Sequence, residues 1–322
     1  MGPQGVRSHA VHDLPGLLGR EDGFVWVDVP AVDDDTAHLL STVFGFHEIA
    51  VQLCRERNRL PTSHAYPDTV FTVLHVPELG QAGHVHLLEL DQFVGRDHLV
   101  TVHGPLNPAV PLDHALAVTG GVRARLESGR LRPRTPADLS HAIVTAMVRE
   151  LQRVLTRISE KVATLEQRVM VDTFRRPEQL LDEMFLVRHE LLTVRTMAAQ
   201  SHDVYARLSG LARHVPAGDK PVFEDIADQY KRLRGVSDGE KEFLIGVIDL
   251  YTTRVATKMN VAVERLAVLA AVTLPITALA SVYGMNVIVN DRTHLPQLFA
   301  VVAVMVLISG VLLRWTKRQG WW

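Results

Sequence analysis

The chain has 322 residues, 47% of them apolar, and a formal net charge of −2. The apolar share excludes a disordered chain, and the nearly balanced charge excludes a protein that works by coating nucleic acid. One cysteine, Cys54, cannot form an internal disulfide or a cysteine-built metal cluster. Met1 to Val11 lacks the apolar run of a secretion signal, and residues 1–22 read as a tail.

Residues 23–130 mix strand and helix patterns and predict an α+β domain. Val25-Trp26-Val27-Asp28-Val29 is a β-branched run stopped by Pro30. Asp33, Asp34 and Asp35 supply an N-cap and first-turn carboxylates to a helix through Val43. Thr69 to Val76, His84 to Leu90 and His98 to His103 read as strands, and Ala115 to Glu127 as a helix.

Residues 131–218 predict helices of a stalk. Val148, Leu151, Leu155, Ile158, Val162, Leu165 and Val169 recur at alternating spacings of three and four, a coiled-coil seam. Pro177 opens a second, leucine-rich helix that ends near Pro216-Ala217-Gly218. From Pro221 no proline interrupts the chain until Pro275, so residues 219–283 read as one helix running from the stalk into a membrane. Continuous to Tyr283, it would be on the order of 90 Å long.

Leu266 to Tyr283 and Leu295 to Leu313 carry no charge. Each is long enough, as a helix, to cross a hydrocarbon layer of roughly 30 Å. Residues 284–294 form the loop between the two spans, and residues 314–322 a basic tail. Arg254, Lys258 and Arg265 precede the first span, Arg314, Lys317 and Arg318 follow the second, and the loop holds only Arg292. The positive-inside rule puts the loop outside and both termini in the cytoplasm, in an inner membrane with lipid as partner.

One face of the long helix reads Asp249, Thr253, Ala256, Asn260, Val263, Ala267, Ala270, Leu274, Thr277 and Ser281. Its members are small or polar except Val263 and Leu274. Polar groups in hydrocarbon normally face a bundle interior or water, so copies of this face could surround an ion path. Small residues also simply let two helices approach closely, and both readings stand at this point.

Tyr283-Gly284-Met285-Asn286, closing the first of the two spans, resembles the signature of the CorA-type magnesium and cobalt transporters. Met259-Asn260, Leu274-Pro275-Ile276-Thr277, Trp26-Val27-Asp28, Phe44-Gly45-Phe46-His47, Val70-Phe71-Thr72-Val73-Leu74 and Lys317-Arg318-Gln319-Gly320-Trp321 extend the resemblance along nearly the whole chain. It implies a funnel-shaped homopentamer whose first spans line a central pore, and no cofactor beyond the cation carried. In this resemblance Gly284, Met285 and Asn286 form the selectivity filter, with Asn286 meeting a hydrated Mg2+. Thr277, Asn260 and Asp249 form inner polar rings, Asp249 being a further metal contact, while Leu274, Leu266 and Val263 form the apolar constriction. Neutral oxygens suit Mg2+, which sheds its waters reluctantly.

The departures from the family lie elsewhere. The acidic pair expected after His47 is replaced by Gln52-Leu53, and His64 stands where another acid is expected. The stalk partner of a regulatory Mg2+ is present as Asp225, with Asp228 one turn on, but its counterpart is not. The expected function is therefore Mg2+ uptake, with Co2+ and Ni2+ as related cargo, driven by the electrochemical gradient. Two charges crossing 100 mV release roughly 4.6 kcal/mol. A zinc transporter of the same superfamily is the alternative, favoured by sixteen histidines, and a tethered scaffold without transport is a third. No phosphate loop, Gly-x-Ser-x-Gly or His-Glu-x-x-His occurs, so the chain does not read as an enzyme. His84 and His86, on one side of a strand, could bind zinc but lack a third ligand at fixed spacing.

Overall fold

The computed structural model describes residues 1, 5–20, 23–80, 84–105, 107–171, 177–210, 219–284 and 295–319, with the backbone alone for 177, 283 and 297. Two compact units are formed, Met1–Asp172 with Glu178–Val247, and Thr173–Pro177 with Ile248–Trp322.

The first unit is built on five strands: β1 (Val25–Val29), β2 (Thr62–Ala65), β3 (Thr69–Leu79), β4 (Val85–Gly95) and β5 (His98–His103). Their order is β1-β5-β4-β3-β2, with β1 parallel to β5 and every other neighbour antiparallel. The helices before the stalk are α1 (Leu14–Leu17), α2 (Asp34–Thr42), α3 (Glu48–Arg55), α4 (Leu112–Ala115) and α5 (Ala117–Glu127). β3 and β4 run further than the sequence pattern predicts, because each finds the other as a partner over eleven registered pairs. β2 and α3 are additions that the sequence reading does not contain.

The alternation of side chains gives the sheet two covered faces. On one, Phe71, Val73, Phe93, Val100 and Val102 pack with Leu40, Phe46, Ala50, Val51 and Cys54 from α2, α3 and the turn between them. Phe46 stacks on Phe93 with ring centroids 4.0 Å apart. Gly45 takes φ +67°, a left-handed value that only glycine adopts freely, and this turn delivers Phe46 to the core. Asp33 caps α2, its Oδ1 accepting from the Thr36 N–H at 2.8 Å, so the aspartate run is a cap as expected.

The opposite face is closed by α6 (Pro136–Val171), which packs against β3, β4 and β5. Ser140 of this helix donates to Gln92 of β4 at 2.5 Å. Nearby, Thr101 donates to Asp28 at 2.7 Å, Trp26 donates to Thr101 at 3.0 Å, and His103 lies 3.2 Å from both Asp28 and Thr119. Burial opposes the charge on Asp28, yet the bonds from His103 and Thr101 hold its carboxyl below the usual value. The Trp26-Val27-Asp28 motif is thus a structural tie between β1, β5 and α5.

Beyond the sheet, α6 joins α7 (Pro177–Gly210) and the first part of α8 (Lys220–Gly284) in a three-helix bundle. All seven seam residues of α6 are buried, as the spacing predicts. Lys161 pairs with Glu190 and Arg168 with Glu183, so α7 runs antiparallel to α6. Arg195 pairs with Asp238, and the His202 ring bonds the Ala227 carbonyl, so α8 runs antiparallel to α7. Phe223, Ile226, Tyr230, Leu233, Leu244 and Val247 give α8 its buried stripe here.

The second unit holds the remainder of α8, from Ile248, and α9 (Leu295–Arg318). Both helices are long and apolar enough to cross a membrane, and their apolar stretches are almost wholly exposed in the single chain. Their large hydrophobic side chains face outward, Leu266, Leu274 and Phe299 being 65%, 65% and 70% exposed. In water such a surface would associate, and in lipid it is the ordinary outer face.

Candidate ion path and metal-responsive positions

α8 has about 3.6 residues per turn, which brings Asp249, Asn260, Val263, Ala267, Ala270, Leu274, Thr277 and Ser281 to one face. All of them are exposed, as are Leu266 and Gly284. Val268 points away from the centre of that face, turned by about 140° at the helical repeat, and it is buried. Met285 and Asn286 lie outside the described residues.

The hydroxyls on this part of α8 are committed inward. Thr273 donates to the Leu269 carbonyl and Thr277 to the Thr273 carbonyl, each at 2.8 Å. A threonine whose proton is held by its own helix presents only lone pairs outward, so Thr277 offers an acceptor rather than a donor. Pro275 has no N–H, which leaves the Ala271 carbonyl without its usual helical partner one turn back. Two acceptors therefore come from residues less than two turns apart, in a stretch without charge.

The positions that the resemblance would connect with regulation are in the first unit. Asp225, on α8, is not an open carboxylate. Its Oδ2 accepts from His141 Nε2 of α6 and from Gln229 Nε2, each at 2.7 Å, and Gln229 also reaches Thr145 Oγ1 at 3.2 Å. The His141 bond, followed by the Gln229 bond, holds the Asp225 carboxyl below its ordinary range. Asp228 is exposed. Gln52 is exposed on α3 and donates to Glu56 at 2.7 Å, Leu53 packs partly into the core, and His64 lies over the Phe71 ring.

Sequence reasoning does not contain His141, which stands eighty-four residues from its partner with no local signal. Nor does it contain a buried polar group beneath α3. Glu89 accepts from the Asn58 amide side chain at 2.6 Å and from its N–H at 2.8 Å, and the His75 ring donates to the Asn58 carbonyl at 2.9 Å. Asp91 is fully buried beside the Cys54 thiol. Burial, reinforced by the Glu89 charge, pushes the Asp91 carboxyl well above its usual value, which favours its neutral form. Among the described residues, no three His, Cys, Asp or Glu groups converge on a point where they would already hold a metal ion.

A mixed sheet covered by helices, a helical stalk and two helices long and apolar enough to cross a membrane make up the architecture. The chain belongs to the CorA-like Mg2+ transporter protein family, which matches it over residues 21–318. It is therefore a divalent metal-ion transporter of that superfamily and not an enzyme. The putative metal ion transporter YfjQ of Bacillus subtilis is 26% identical over 300 residues, 92% of this chain and 89% of that protein. The cobalt/magnesium transport protein CorA of Thermotoga maritima is 22% identical over 335 residues, 98% of this chain and 89% of that protein. The solved CorA magnesium transporter of Methanocaldococcus jannaschii superposes with a TM-score of 0.77 at 18% identity, covering 94% of this chain and 93% of that one. That likeness establishes the shared fold.

Proposed function

We propose that the protein takes up Mg2+, with Co2+ and Ni2+ as further cargo, through a central pore lined by α8 in a homopentamer. One pair of spans cannot enclose an aqueous path, whereas several copies of one helix face can. The observation that carries this reading is the face from Asp249 to Ser281, which is exposed, small or polar apart from Val263 and Leu274, and backed by the buried Val268. Asp249, Asn260 and Thr277 provide successive oxygen rings along it. Val263, Leu266 and Leu274 provide the dry constriction between them. Gly284, Met285 and Asn286 form the outer filter, where amide oxygens accept hydrogen bonds from the hydrated ion without holding it too tightly. The outward lone pairs of Thr277 fit this role, because the hydration shell of a cation presents hydrogens.

The membrane potential drives entry without ATP, in an inner membrane with Arg254, Lys258, Arg265, Arg314, Lys317 and Arg318 on the cytoplasmic side. Zinc is the competing cargo. Purified protein in vesicles, challenged with Mg2+, Co2+, Ni2+ and Zn2+ under an imposed potential, tests the proposal. Uptake of Mg2+ that rises with an inside-negative potential supports it. Flux of Zn2+ alone, or no flux, overturns it.

A further inference from the structure

The end of the β3–β4 hairpin carries a second feature, remote in sequence from the helix face that serves as ion path. His84 and His86 stand two residues apart at the start of β4 and therefore project to one side. Their rings lie edge to face with centroids 4.6 Å apart, close enough for one ion to span both. They line a hollow of about 490 Å³ together with Glu78, which pairs with His86 across the hairpin, and His114 of α4. Gly80 closes the hairpin, its N–H donating to the His84 carbonyl at 2.7 Å. A methyl at Gly80 would stand 2.7 Å from His86 Nε2, so a side chain there would push the ring aside. The Asn107 amide meets His86 Nδ1 at 3.0 Å from the other side and orients the ring.

We propose that His84 and His86 form a chelate for a borderline divalent cation, Zn2+, Ni2+ or Co2+, in the soluble domain. Imidazole nitrogen suits these ions, whereas Mg2+ takes hard oxygen ligands and keeps its waters, so the site discriminates against the ion proposed as main cargo. With two fixed ligands, the ion retains water or draws in Glu78 and His114 from the walls of the hollow. Capture through Nε2 of His86 leaves that ring's proton on Nδ1, and the Asn107 oxygen, which accepts from the Ala109 N–H at 3.0 Å, must leave that bond to accept it. Asn107 is then a positioning residue, in the place where metal-bound histidines usually meet a carboxylate or carbonyl. The proposal does not depend on which ion the pore passes.

The test is equilibrium binding of Zn2+ and Ni2+ to the full-length protein in detergent, measured by calorimetry in the presence of excess Mg2+. The double variant His84→Ala/His86→Ala should lose one bound equivalent, while His189→Ala, an exposed histidine on α7, should lose none. Asn107→Asp, which puts a carboxylate behind His86, should tighten the same equivalent by about tenfold. Gly80→Ala should weaken it by displacing the ring. Unchanged stoichiometry in the double variant overturns the site. So does displacement of the ion by Mg2+ at equal concentration, or an Asn107→Asp variant that binds no more tightly than the parent.

Discussion

Replacing Asp225 by alanine asks whether that carboxylate is a metal ligand or a strut within its own subunit. One oxygen accepts from His141 and Gln229, each at 2.7 Å, and the ion pair's side chains are 33% and 52% exposed. Solvent screening at that exposure limits the pair to about 0.2–1 kcal/mol. For a chain of this size the loss would lower Tm by about 4 °C or less. A magnesium ion arriving at Asp225 would have to displace those bonds and would find Gln52 and Leu53 where the resemblance expects acids. A neutral amide and an alkyl group offer Mg2+ little. Asp225→Ala should therefore leave magnesium-dependent protection of the stalk against protease within about twofold of the parent in midpoint concentration. The assay is limited proteolysis of the full-length protein, titrated with Mg2+. Protection of the parent at sub-millimolar Mg2+ that disappears in Asp225→Ala would refute the reasoning. So would tighter protection in His141→Ala, since it would reveal Asp225 as a ligand that histidine had been masking.

Other expectations are independent of that one. Asn286→Ala should abolish or strongly reduce Mg2+ uptake into vesicles while the oligomer stays intact, and normal uptake by a folded variant would remove Asn286 from the filter. In detergent the protein should sediment as a closed oligomer of five copies; a conducting monomer or dimer would contradict the shared pore. Asp91→Asn should flatten the dependence of stability on pH. The folded carboxyl titrates above its unfolded value, so its contribution is complete below pH 3.8 and is lost as pH rises through the folded value. Melting curves across that range in parent and variant would check this, and parallel curves would count against it. Lys161→Met should destabilise the stalk by roughly 2–4 kcal/mol, because it strands Glu190, whose side chain is 4% exposed, without its cation. Lys161→Met/Glu190→Leu should recover most of that loss in the same melt.

The parts of the fold legible in the sequence are those whose signal repeats. The α6 seam carries seven buried residues in register, and the two apolar helices are marked by the absence of charge over whole spans. Asp33 was legible because an N-cap is a local device. β2 was not, since Thr62-Ser63-His64-Ala65 has no apolar alternation and forms by adding an edge to β3. α3 is eight residues long, and its buried Ala50, Val51 and Cys54 are too few to show a period. The polar face of α8 was readable for the same reason as the seam, because both follow the helical repeat. The bond between His141 and Asp225 was not, because no local rule links residues brought together by two separate helices packing side by side.

Cys54 illustrates how a buried contact shapes what the whole molecule offers to a reagent. It is the chain's only cysteine, it is 1% exposed, and burial beside the Asp91 and Glu89 carboxyls pushes its thiol far above the usual range. A thiol that is neither ionised nor reachable does not react with maleimides or methanethiosulfonates. The natural protein is thus a silent background for thiol chemistry. A cysteine placed at Asp249, Ala267 or Ser281 would be the sole reactive group in each subunit, and its labelling rate would report how far water penetrates along the helix.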